Sequence, residues 1–315
     1  MDKDRYVQVV DDDINRIYYS ILKDIYELGH IDGKRKELPF FTFTLLNPDK
    51  NILLFPFSQR NWPWILRECS DRLFSIKNPG IAFRYSKNWE NRQEDSGLYS
   101  YHYSDRLNGQ MKELLSKNKH SRDKIVMVWN KGDTDINGRQ PCTIFLQPFM
   151  EYDNKMSMLV TMRNSDIVNI FPSDIFIHSS YLKYWCVKND IEYKNIYWVS
   201  AVAYYQKKRD RIKFVERLLD RWTGNYNNLQ TSHWNKDIVS DLELKEDIEK
   251  NVRSGGKIEL TNNLKTPYVR EWTNIMLMAE AKIRNDKELF TQLKNLEWTT
   301  EFRLIRDSLL TKKFR

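Results

Sequence analysis

Arg163-Asn164-Ser165-Asp166-Ile167-Val168-Asn169-Ile170-Phe171-Pro172-Ser173-Asp174-Ile175 is the stretch from which the fold is read. Upstream of it, the run Met156 to Met162 is apolar on both parities toward its end, the pattern of a strand covered on both faces. Downstream, residues 173–189 read as a long buried helix. The dipeptide Pro141-Cys142 opens another strand-like run, 142–149, and 124–129 is a third. The segments are separated by turn-rich Gly132-Asp133, Asn137-Gly138 and Asp153-Asn154. A thiol, a guanidinium and the Asp166 carboxylate thus fall at or near strand ends, with a second carboxylate, Asp174, at the start of the helix.

The periodicity extends in both directions. Tyr6, Val10, Ile14, Ile17, Ile21 and Ile25 are spaced by three and four residues, so 5–28 is expected to be an amphipathic helix ending near Gly29. Residues 40–57 are β-branched and aromatic around Asn47-Pro48-Asp49, which predicts a hairpin. Trp62-Pro63-Trp64 opens a helix to about Ile76 that carries Glu68 and Cys69, since proline is tolerated in a first turn. Residues 84–105 lack a period and suit an active-site loop region. A helix over 108–118 and a strand over 195–206 complete the expected core. Beyond Asp210, charge density rises and 211–223, 266–284 and 286–313 show helical periodicity, with Gly224 and Gly255-Gly256 as breaks. The expected division is 1–210 and a helical extension, 211–315.

A chain of 315 residues with 41% hydrophobic content can bury a full core, and 30% charged residues make it a soluble one. No apolar run spans a bilayer, and Met1-Asp2-Lys3-Asp4 does not open a signal peptide, so cytoplasmic residence and no membrane partner are expected. Cys69, Cys142 and Cys186 are odd in number and lack CxxC spacing, which argues against disulfides and a structural zinc. The five histidines show no metal-ligand spacing, so no metal is implied. The net charge of +8 fits either a nucleic-acid binder or an enzyme with a phosphorylated substrate. The densest basic group, Lys207-Lys208-Arg209 with Arg211 and Lys213, reads first as a solvated helix face.

Read together, these motifs resemble thymidylate synthase and, at one position, its relative deoxycytidylate hydroxymethylase. The resemblance spans about residues 50–208. Its centre is Arg163, Asp166 and Asp174: the family pattern after the nucleophile strand is Arg-Ser-x-Asp, followed by a base-reading residue that is Asn in the methylating enzymes and Asp in the cytosine-specific ones. Pro141-Cys142 matches the nucleophile. Phe55-Pro56-Phe57 with Arg67-Glu68 resembles the segment of the catalytic glutamate, and Gly97-Leu98-Tyr99 a conserved turn. Ser121-Arg122, followed by Ile125 to Trp129-Asn130, resembles the strand that sends an arginine across a dimer to the partner's phosphate.

The resemblance implies an α+β fold, a large mixed β-sheet with helices on one face, two such sheets packing back to back in a homodimer. It implies 5,10-methylenetetrahydrofolate as co-substrate and a pyrimidine nucleotide as substrate. Cys142 would add to C6 and turn C5 into an enamine-like nucleophile; Arg163 would serve both the thiolate and a phosphate. Glu68 and Tyr99 would manage protons, Asp166 would bind the pterin, and Arg122, Asn164 and Tyr205 would complete substrate binding. Asp174 points to cytosine. An Asn amide meets the N3–H donor and O4 acceptor of uracil, whereas cytosine with a protonated N3 presents two donors that a carboxylate accepts. Plainer readings stand beside these: a small core residue for Cys142, a surface residue for Glu68, a turn residue for Asp166 and a helix cap for Asp174.

The departures concern sugar and phosphate. The family's Gly-Asp-x-His-x-Tyr strand is Ser200-Ala201-Val202-Ala203-Tyr204-Tyr205, so its histidine is Ala203. Asp123 stands for the second dimer-crossing arginine, Asn164 for a serine, Thr143 for the histidine after the nucleophile and Ile170 for a glycine; no Arg-Thr-Gly loop is visible. C5 modification of a cytosine nucleotide with altered sugar or phosphate recognition is therefore expected; the residues leave methyl and hydroxymethyl products open, and the resemblance at Asp174 favours hydroxymethyl. The alternative is a non-catalytic dimer that regulates, scaffolds or binds nucleic acid. The C-terminal helices would serve as a lid or as a protein-partner surface.

Overall fold

The computed structural model describes residues 7–53, 60–86, 94–99, 101–117, 125–135, 140–222, 231–254, 261–299 and 301–310. It contains two compact units, Met1–Leu53 with Ser100–Asn227, and Leu54–Tyr99 with Asn228–Arg315. The first holds the sheet. The second joins the 54–99 segment to most of the residues expected to form a C-terminal extension, while 211–227 stay with the sheet.

The sheet has eight strands: β1 (Val7–Asp11), β2 (His30–Asp32), β3 (Arg35–Leu45), β4 (Val126–Met127), β5 (Thr143–Met150), β6 (Met156–Met162), β7 (Ser165–Asp166) and β8 (Tyr193–Gln206). Its order is β1-β3-β8-β6-β5-β4, with β2 on β3 and β7 on β8. β1 is parallel to β3, and β6 and β7 are parallel to β8; the other pairs are antiparallel. This mixed sheet with helices is the α+β fold expected.

Two local expectations are corrected. Residues 5–28 are not one helix: Val7–Asp11 form a strand, and helix α1 (Ile14–Leu28) starts after Asp13, whose carboxylate accepts from Asn15 N at 2.8 Å. An extended Asx cap at Asp13 breaks the helical period that Tyr6 and Val10 only mimic. The hairpin around Asn47-Pro48-Asp49 is absent among the described residues 46–53; the second half of its expected span, 54–57, lies outside them. The hairpin forms instead between β2 and β3, where Gly33 takes φ +52°, a conformation glycine adopts without steric cost.

Cross-strand rows fix the faces. Phe43 opposes Trp198, Trp198 opposes Val160 and Val160 opposes Leu146, and all four are buried. Onto this row pack Tyr18 of α1 and Phe171 of helix α4 (Phe171–Lys188), with Phe171 5.4 Å from Trp198 in a T-shaped contact. The neighbouring row, Thr42, Val199, Thr161 and Phe145, is half-buried, as is Thr44, Tyr197, Leu159 and Gln147. Met158, Val160 and Met162 therefore face the core; the opposite face carries the second set.

The pleat inverts once. Phe40 takes φ +42°, strained for a bulky residue, and beyond it Leu38, Ala203 and Tyr205 are the buried positions in place of the Phe41, Phe43 and Ser200 parity. Helix α5 (Arg209–Arg221) follows β8, and Trp222 at its end meets Tyr19 of α1 edge-on at 5.4 Å.

The second unit contains α2 (Trp62–Leu73), α6 (Lys236–Arg253), α7 (Pro267–Arg284), α8 (Lys287–Lys294) and α9 (Phe302–Leu310). Helix α3 (Tyr103–Lys117) belongs to the first. In the second unit the described residues of the span 286–313 form two helices, not one, and α6 carries no apolar period that predicts it. The apolar stripe is shared among α7 and α9 through Tyr268, Trp272 and Phe302. The polar core is an ionic cluster. Arg67, fully buried, donates to Asp71 (2.9 Å), Glu246 (2.7 Å) and Glu249 (2.7 Å); Lys245, also fully buried, donates to Ser70 (2.9 Å) and Glu246 (2.9 Å) and lies 2.8 Å from Glu249. Burial opposes the charge on Glu246, but Lys245 and Arg67 outweigh it and hold its pKa down at about 2.

Candidate active site

The nucleophile candidate immediately precedes β5. Cys142 is half-buried, and its carbonyl accepts the backbone N–H of Arg163 at 2.8 Å, so residues 21 apart in sequence become neighbours at the ends of adjoining strands. The Arg163 guanidinium lies 5.8 Å from the centroid of Trp129, a cation–π contact. Its Nε is buried and has no hydrogen-bond partner among the described residues, which leaves a donor for an anion. Asn164 follows, half-buried.

The other two cysteines differ. Cys69 is fully buried within α2, and burial pushes the Cys186 thiol well above its usual range, so it stays protonated and unreactive.

Asp166 occupies β7, opposite Tyr204 of β8. Its two oxygens accept from Asn169, from the backbone N at 3.0 Å and from Nδ2 at 2.8 Å, which makes it the hinge of the turn into α4. An ionised carboxylate has about four acceptor sites, so two remain for another donor.

Asp174 lies in the first turn of α4 and is 91% buried. It is not the helix cap: that position is Ile170, which makes no side-chain capping bond. A carboxylate near a helix N-terminus is favoured by the macrodipole. One turn further along, the buried His178 brings Nε2 within 3.3 Å of Thr143 Oγ1, beside the nucleophile. That contact brings the face of α4 shared by Asp174 and His178 to the strand of Cys142.

Tyr205 is buried near the end of β8, opposite Lys36. Its hydroxyl pKa is pushed up to about 12, by burial first and then by Tyr26 of α1 and Glu216 of α5. Glu68 and Tyr99 belong to the second unit. Glu68 is 91% buried and accepts from Arg72 Nε at 3.1 Å, one turn along α2. Tyr99 follows a turn in which Gly97 takes φ +76°, and Asn78 clamps its backbone at both N (2.9 Å) and O (2.7 Å). Arg122 lies outside the described residues, as do Ser121, Asp123 and Phe55-Pro56-Phe57.

Residues 67–259, more than half of the chain, match the family model for thymidylate synthase. The protein belongs to the thymidylate synthase family. Among solved structures, thermostable thymidylate synthase A from Bacillus subtilis has the same fold, with a TM-score of 0.55 at 17% identity over 66% of this chain and 84% of that one. No curated protein matches. Membership of the thymidylate synthase family brings the general chemistry of that family, one-carbon transfer from methylenetetrahydrofolate to C5 of a pyrimidine nucleotide.

Two features of this thymidylate synthase-family site escaped the sequence reading. Trp129 was placed on a strand but not under Arg163. His178 shows in the sequence only as one residue of a buried helix, and its spacing of four from Asp174 is the signal of a role. Where the family pattern has a histidine after the nucleophile, this chain has Thr143, and an imidazole from α4 meets it.

Proposed function

We propose that this protein hydroxymethylates a cytosine nucleotide at C5 through a covalent bond between Cys142 and C6. The observation that carries the reading is the Cys142–Arg163 pair: a half-buried cysteine whose carbonyl accepts from the backbone N–H of an arginine, with a buried guanidinium donor, Nε, that has no hydrogen-bond partner among the described residues. A guanidinium there favours the thiolate and offers charge-assisted hydrogen bonds to a phosphate.

The residues have distinct tasks. Cys142 adds to C6, and the electron pair displaced from the ring makes C5 nucleophilic. Asp174 accepts from N4–H and from a protonated N3, which selects cytosine. The loss of Arg122's expected companion at Asp123 and of the serine at Asn164 supports a substrate with an altered sugar or phosphate portion. Glu68 and Tyr99 are assigned the proton transfers around the base, and Tyr205 the sugar.

Asp166 fits the pterin only with its two remaining acceptor sites, since Asn169 fills the others. Methylenetetrahydrofolate supplies the carbon at the oxidation level of formaldehyde, so water addition gives hydroxymethyl without a reductant. The half-buried face with Phe145, Leu159 and Val199 is assigned to the homodimer.

The test is release of tritium to water from C5-tritiated deoxycytidylate or cytidylate with methylenetetrahydrofolate, followed by the mass of the product. Release that vanishes in Cys142→Ala and a product with hydroxymethyl in place of the C5 hydrogen, a net gain equal to formaldehyde, are expected. Undiminished release in Cys142→Ala overturns the covalent mechanism. No release from any pyrimidine nucleotide would favour the non-catalytic dimer.

A further inference from the structure

We infer that His178 is a positioning residue that ties the nucleophile strand to the helix of Asp174 and so sets base preference. This rests on the roles assigned to Cys142 and Asp174 above.

Cys142 is held from two sides. From just beyond β6, Arg163 N donates to its carbonyl at 2.8 Å; from α4, His178 Nε2 lies 3.3 Å from the hydroxyl of the very next residue, Thr143. Thr143 and His178 are each 99% buried, so the contact is shielded from water and no solvent bond replaces it when it breaks. The imidazole is packed edge-on to Trp198, with centroids 5.7 Å apart and planes at 66°. A hydroxyl both donates and accepts, so the bond forms with either imidazole tautomer.

The same imidazole shares a helix with Asp174. The two residues are four apart on α4, on one face and separated by about 6 Å of helix rise. Because Ile170 gives the helix no side-chain cap, the placement of its first turns depends on what its inner face touches. The Thr143–His178 bond is therefore a spacer between thiol and carboxylate. A cytosine ring that must reach both at once feels any slip in that spacing as a lost contact at one end.

Two measurements test this, one of them independent of any substrate. Alkylation of Cys142 by iodoacetamide, read by mass, reports the setting of the thiol. Tritium release from C5-tritiated deoxycytidylate against deoxyuridylate reports base preference. Thr143→Val removes the hydroxyl at constant shape; Thr143→Ser keeps it. The valine variant should slow alkylation about threefold or more and lower the cytosine-to-uracil ratio of kcat/KM about tenfold, with serine close to wild type. His178→Asn, polar but too short to reach Thr143, should match the valine variant, and the double variant should add nothing. Valine and serine variants that alkylate and discriminate alike would overturn the inference, as would additive losses in the double variant. Failure of the underlying function looks different. It appears as activity that survives Cys142→Ala, or as no turnover at all, and the alkylation rates then decide the role of His178 alone.

Discussion

At position 174 the difference between Asp and Asn is one acceptor exchanged for a donor, and in a 91% buried site water does not repair the mismatch. Asp174→Asn should shift preference from cytosine toward uracil nucleotides by roughly tenfold or more, since one mispaired buried group costs about 1–3 kcal/mol. The ratio of tritium release from the two substrates measures it; an unchanged ratio in a folded variant would remove Asp174 from base recognition. The three cysteines allow a cleaner check. Iodoacetamide should label Cys142 and spare Cys69 and Cys186 in the native protein, because the latter two are fully buried and the Cys186 thiol is held protonated. Single residues were legible where chemistry and spacing coincide, as in Cys142, Arg163 and Asp174. His178 was not, since a histidine in an apolar helix gives no sign of its partner until Thr143 is brought to it by the packing of α4 on the sheet.

Among the elements, α6 shows why a helix can be invisible to hydrophobic periodicity. Its inward positions include Ile238, Leu242 and Val252, but also Asp241, Lys245 and Glu249, all buried. The stripe has helical spacing; three of its seven buried members are charged, so the apolar signal fades. Strands β5, β6 and β8 were legible because they alternate or run apolar, whereas β1 was lost to a chance continuation of the α1 period. The buried charges also make a stability prediction. Removing one partner leaves the rest uncompensated, so Glu249→Ala should cost about 3–5 kcal/mol, whereas an exposed ion pair is worth about 1 or less. Urea unfolding of the variant measures this, and a loss below about 1 kcal/mol would mean that Arg67 and Lys245 find other partners. Acid should act on the same cluster. The Glu246 pKa is depressed to about 2 by folding, so its contribution is complete above the ordinary carboxylate range and is lost as pH falls toward 2. Glu246→Gln should flatten the acid limb of the stability profile. Truncation after Asp210 strips α2 of Glu246 and Glu249, so the truncated chain should lose its fold rather than merely a lid.

On the scale of the whole molecule, the sheet face that carries Phe145, Leu159 and Val199 is half-buried in one chain and predicts a dimer. Native mass should equal two chains of 38.1 kDa, and Leu159→Glu with Val199→Glu should halve it. A double variant that remains a dimer would place the interface elsewhere. Sharing of sites is a separate matter: mixed Cys142→Ala and Arg122→Ala chains should recover part of the activity, and no recovery would confine each site to one chain. Family and sheet were readable from the order of motifs, but the division into units was not, because 54–99 carries no compositional mark of its association with residues beyond 228. The ionic cluster gives that association a consequence in time. Arg67 leaves the ribosome 179 and 182 residues before its carboxylate partners Glu246 and Glu249. At about 5–20 residues per second, synthesis leaves the guanidinium waiting roughly 10–40 s, and α2 is a chain segment with no interior to enter until α6 emerges. Nascent chains stalled before residue 236 should be cut readily by protease within 60–86, and release of the full chain should abolish that cutting.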